Sequence, residues 1–157
     1  MRPFVFALVW ACLITAAVAA LTLGLRNEGL SGRSLAVLAV FGLGSFLGGW
    51  LGWGAARILS WPRRRRPVAR FAAMLITLSV GTAGITGFLF FLQMRAYYDP
   101  WHTNALSMRM FWETAFTAAT SSYIFGVMGA RMLLPVMLVP LFAAAWYFAR
   151  IKPRSAE

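Results

Sequence analysis

The chain has 157 residues, of which 61% are hydrophobic and 12% charged, with a formal net charge of +11 at pH 7. A water-soluble domain averages about 45–50% apolar and about 25% charged residues, and a core this small has no room for the surplus, so lipid must solvate much of the surface. The basic residues gather between apolar runs and at the chain ends, which is the pattern of membrane topology and argues against a nucleic-acid-binding face.

An apolar run of about 18 or more residues crosses a ~30 Å hydrocarbon layer as a helix. The first predicted span covers residues 3–25, without a charge. Arg2 and the small residues Ala16 to Ala20 also suit a cleavable leader, but the run is longer than a usual signal core. Cys12, the lone cysteine, lies inside this span and excludes an intramolecular disulfide.

The second predicted span, 35–56, contains "FGLGSFLGGWLGWGA". Gly44, Gly48 and Gly52 recur at every fourth position, with Ser45 and Gly49 beside them. Small residues at this spacing make a flat groove that another helix backbone can approach closely. The pattern suits a helix of this chain, a second copy or a foreign membrane protein equally. Trp50 and Trp53 are expected near the headgroups at the inner end of the groove. The link that follows, "SWPRRRRPVAR", sets topology, and Arg63, Arg64, Arg65 and Arg66 are expected to contact anionic headgroups. Across the third span, 71–92, Gly81, Gly84 and Gly87 repeat the small-residue theme beside Thr77, Thr82 and Thr86, whose hydroxyls can bond back to their own helix.

Residues 93–122 are neither a plain loop nor a plain span. "YYDPWHT" reads as one helix ending near Tyr98, an Asp99 cap and a restart at Pro100, with Tyr97, Tyr98, Trp101 and Trp112 as interfacial anchors. An amphipathic or re-entrant helix is predicted over about 100–121. Ser107, Thr114, Thr117 and Ser121 fall near one of its faces, opposite Met110, Phe111 and Ala118. A competing reading makes 111–130 a fifth span, with "RMLLP" as a turn. The fourth span, 123–149, holds Pro135 and Pro140, which should kink or break it. Arg131 would lie about 12 Å along it, a depth at which a charge usually faces a partner or a wet cavity. Glu113 is the first candidate partner and Asp99 the second.

The fold class expected is thus an all-α integral membrane protein: one membrane domain of four transmembrane helices, with the amphipathic or re-entrant helix between the third and fourth. Lysine and arginine placement favours both termini on the cytoplasmic side of the inner (plasma) membrane. The candidate polar site comprises Asp99, His102, Arg109, Glu113 and Arg131. Asp99 and His102 lie one turn apart, but neither a nucleophile nor enough metal ligands accompany them, so no catalytic, cofactor or metal role is assigned. The favoured function is an accessory, assembly or regulatory subunit that works through helix–helix packing with another membrane protein or with itself. A small homo-oligomeric transporter or channel, with a polar path near Arg131 and Glu113, is the alternative. An outer-face enzyme acting on lipid or a lipid-linked sugar through Asp99, His102 and Glu113 stands third.

Overall fold

A computed structural model describes residues 3–25, 31–63, 66–98 and 107–151. Among them the chain is all helical. Helix α1 covers Pro3–Ala19 and runs on as a π-helical turn over Ala20–Leu25. Helix α2 covers Gly32–Leu59, α3 Pro67–Tyr98, α4 Met108–Ile124 and α5 Ala130–Arg150. The stretches Pro3–Thr22, Ser34–Leu59 and Pro67–Tyr98 are each long and apolar enough to cross a membrane, and Met137–Arg150 is a shorter apolar helix.

Local chemistry sets the helix ends. Ser31 opens α2 through a reciprocal cap: its side chain accepts from the Ser34 amide, and the Ser34 hydroxyl accepts from the Ser31 amide at 2.8 Å. Pro62 follows Ser60, where α2 stops, and Pro67 occupies the first position of α3, where its missing N–H leaves no bond unmade. Helix α3 ends at Tyr98, as the Asp-Pro pair predicts. Asp99, Pro100, Trp101 and His102 lie outside the described residues. The next helix begins at Met108, with Ser107 as its N-cap accepting from the Met110 amide at 3.3 Å.

The largest departure from expectation comes after Ser107. Helix α4 does not separate from the last helix; a π-helical turn, Phe125–Gly129, joins it directly to α5, so the backbone is helical from Met108 to Arg150. The "RMLLP" turn required by a fifth span does not form. Nor does the helix break at Pro135 or Pro140; the backbone stays helical through both.

The helices pack as a bundle in which α2 lies between α1 and α3, while α3 also carries α4 and α5, and α5 reaches α1. The glycine stripe of α2 finds its partner within the chain. A Cβ on Gly48 would sit 2.6 Å from the Thr82 Cα, one on Gly52 would sit 3.2 Å from the Leu78 Cα, and one on Gly44 would clash with Thr86. Gly81 returns the contact, its Cβ position lying 3.0 Å from the Gly48 carbonyl oxygen. Two backbones this close gain dispersion contacts and Cα–H···O contacts that lipid cannot supply. Gly42 and Gly49 face the other way, toward Thr15 and Trp10 of α1. Gly84 has nothing near its Cβ position and is not part of any close approach.

Two threonines of α3 reach across the bundle, where only bonds within their own helix were expected. Thr77 donates to the Gly52 carbonyl at 3.0 Å as well as to its own Ala73 carbonyl at 2.8 Å. Thr82 accepts from the Trp10 indole N–H at 3.1 Å, which ties α1 to α3 in the centre. Around this bond Trp10, Ile14, Met74 and Leu78 are almost completely buried, so the first apolar run is a core helix.

Candidate functional site

One end of the bundle is closed by aromatic packing and a buried arginine. Phe6 of α1 lies 4.6 Å from Trp53 of α2, which meets Phe148 of α5 edge-on at 5.0 Å. Trp53 is only 4% exposed and belongs to the core, whereas Trp50 is 48% exposed and stays free for the interface role expected of both. Arg70, 9% exposed, stacks over the Phe148 ring at 5.2 Å. Its guanidinium donates to the carbonyls of Phe148 at 2.7 Å, Ala149 at 3.2 Å and Ile151. These are last-turn carbonyls that have no partner within their own helix, at the negative end of its dipole. Sequence reasoning treated Arg70 only as a topology marker. A cation in the first turn of α3 opposes that helix's own dipole, and that was the available signal that it serves another element.

The opposite end carries a groove between two helices. Helix α4 packs beside the last turns of α3, and Phe125 anchors it. Cβ atoms on Gly87 and Gly129 would meet the Phe125 ring at 3.2 Å and 3.0 Å, and Phe41 and Phe90 flank it with ring centroids at 6.3 Å. Beyond this plug a groove of ≈ 600 Å³ separates the helices, lined on α3 by Met94 and Tyr98 and on α4 by residues from Arg109 to Ile124. The hydroxyl-bearing face of α4 turns inward: Ser121 is buried, and Thr117 and Thr120 line the groove. Phe111, Trp112, Phe116 and Tyr123 are exposed.

Of the candidate polar site, the structure brings Arg109 and Glu113 together. Arg109 Nε lies 2.9 Å from Glu113 Oε1, one helical turn away, with side-chain exposures of 76% and 21%. An ion pair this open contributes about 0.3–0.5 kcal/mol. Arg131 falls in the first turn of α5, and its side chain lies outside the described residues, as do Asp99 and His102. Glu113 and Arg131 share one continuous helix, which sets their backbones about 27 Å apart at ~1.5 Å per residue. No pair of side chains spans that distance, so the expected pairing does not form within one chain. Among the described residues no three His, Cys, Asp or Glu side chains come close enough to hold a metal.

Of the four link arginines, Arg66 is exposed just before α3, Arg64 and Arg65 lie outside the described residues, and so does the side chain of Arg63. Ser45 of the glycine stripe is completely buried, and its hydroxyl, like that of Thr86, finds no hydrogen-bond partner. The chain matches no protein-family model, no curated protein and no solved structure.

Proposed function

We propose that the chain is a four-span inner-membrane protein, with both termini cytoplasmic, that acts as an accessory or assembly subunit through α4. In this reading the fourth span covers about 123–149, and α4 continues the same helix out of the lipid on the outer side. The link arginines hold the inner end against anionic headgroups.

The observation that carries the proposal is the row of exposed aromatic side chains on α4, namely Phe111, Trp112, Phe116 and Tyr123. Large apolar groups clustered beyond a span favour a protein or lipid neighbour over water. The glycine stripe, which first suggested an association surface, supports this role less directly, because α3 of the same chain already occupies it.

Affinity purification in mild detergent from the native host, with mass spectrometry of each native-gel band, tests the proposal. A foreign membrane protein recovered in fixed ratio, and lost with Phe116→Glu, is the expected result. A clean homo-oligomer that is indifferent to Phe116→Glu would sink it.

A further inference from the structure

We infer that the groove between α3 and α4 is a binding site for one aminophospholipid of the outer leaflet. The inference rests on the four-span reading, which puts this end of the bundle at the outer surface. It does not depend on the identity of any protein partner.

The groove is graded along its length. Its inner end, next to the Phe125 plug, is lined by Met94 and Ile124, which offer an acyl chain the same solvation as the bilayer. Its middle carries Phe116 with the hydroxyls of Thr117, Thr120 and Ser121, suited to the glycerol and ester region, where apolar and hydrogen-bonding atoms alternate. Its outer end carries Glu113 and Arg109, with Tyr98 and Trp112 alongside. That sequence of environments, apolar then weakly polar then charged, is the sequence of groups along a phospholipid.

The two charges narrow the headgroup. Glu113, 21% exposed, and Arg109, 76% exposed, pair with each other at 2.9 Å, so the outer end of the groove offers an adjoining anion and cation. A zwitterion with an ammonium and a phosphate complements both: Glu113 accepts from the ammonium, while Arg109, whose planar fork matches phosphate oxygens, takes the phosphate. A primary ammonium offers three N–H donors that a choline headgroup lacks, and an anionic glycerol headgroup would meet Glu113 with nothing to donate but hydroxyls. The volume of ≈ 600 Å³ lies within the ~300–1,000 Å³ range of sites that enclose a small molecule. It would hold a headgroup and part of one chain, leaving the rest in the bilayer.

The test is native mass spectrometry of the full chain, delipidated and then titrated with phosphatidylethanolamine, phosphatidylcholine or phosphatidylglycerol of identical chains. The expected result is one phosphatidylethanolamine retained in preference to the others. Glu113→Gln should reduce that retention roughly tenfold, the value of one charge-assisted hydrogen bond, and Arg109→Gln should weaken it too. Thermal unfolding of both variants should match the parent, which separates lost binding from lost fold. Equal retention of all three lipids, or retention unchanged by Glu113→Gln, overturns the proposal. A protein chain filling the groove in the purified complex also overturns it. In a Cys12→Ser background, Ser122→Cys should react with a membrane-impermeant thiol reagent added to intact cells. Failure of that labelling would remove the outer-surface reading itself, whereas labelling without selective lipid retention would remove only the lipid site.

Discussion

The two ends of the bundle solve opposite problems with the same kinds of residue. At the closed end Phe6, Trp53 and Phe148 come from three helices and bury one another, and Arg70 from the fourth is satisfied by carbonyls and a ring. At the grooved end Tyr98, Trp112 and Phe116 come from only two helices and leave a groove between them, with the Arg109–Glu113 pair at its edge. Aromatic and charged groups are therefore buried at the first end and largely exposed at the second. The closed end holds the fold, and the grooved end is where binding can be sought.

Substitutions should separate the two. The largest effect belongs to Gly48→Leu: its Cβ would sit 2.6 Å from a backbone atom that cannot rotate away, so α2 and α3 must part. Fluorescence-detected size exclusion should show loss of the monodisperse peak, while Gly54→Leu, with nothing within 4 Å of its Cβ position, should leave it intact. Arg70→Ala comes next, expected to cost about 2–4 kcal/mol from lost charged hydrogen bonds and helix-end attraction. A thermal scan in detergent reads that as a clear fall in Tm, and Arg70→Lys should recover only part of it, because a single ammonium cannot reproduce the guanidinium fork. Thr82→Val removes the acceptor of the Trp10 indole, and buried hydrogen bonds in membrane proteins average about 0.6 kcal/mol, so a small but measurable drop is expected. Arg109→Ala should be smallest, within about 0.5 kcal/mol, and invisible in the same scan. A large loss at Arg109 with none at Arg70 would reverse the assignment of the two ends.

How much of this could be read from the residues alone depends on what each signal measures. The three long apolar helices follow from uninterrupted apolar runs, which in lipid would leave the backbone no alternative to a helix. The glycine stripe announced a close approach, but spacing describes one surface only, and the complementary face of Gly81, Thr82 and Thr86 became identifiable once the register was known. The fate of 108–129 was harder. A polar-faced helix beside an apolar one suggests separate elements, since nothing in local pattern says that a chain will continue straight through Phe125–Gly129. Trp53 was misplaced for a similar reason: a tryptophan near a span end suits the interface equally well until Phe6 and Phe148 are seen to cover it. Of the candidate site, the Arg109–Glu113 pair lies one helical turn apart in sequence, so spacing alone can bring it together.

The π-helical turn at Phe125–Gly129 also acts as a phase shifter. A π turn holds one residue more than the α-helix around it, and one residue is worth about 100° of rotation at 3.6 residues per turn. The stripe of α5 that faces α3 is therefore not collinear with the stripe of α4 that does. Deleting one residue, Gly126 for example, would restore an unbroken α-helix of nearly the same length yet swing every α4 side chain around the barrel of the helix. Thr117 and Ser121 would leave α3, and a different set of side chains would take their place. The extra residue thus works as a setting of azimuth, deciding which face α4 presents while leaving its position unchanged.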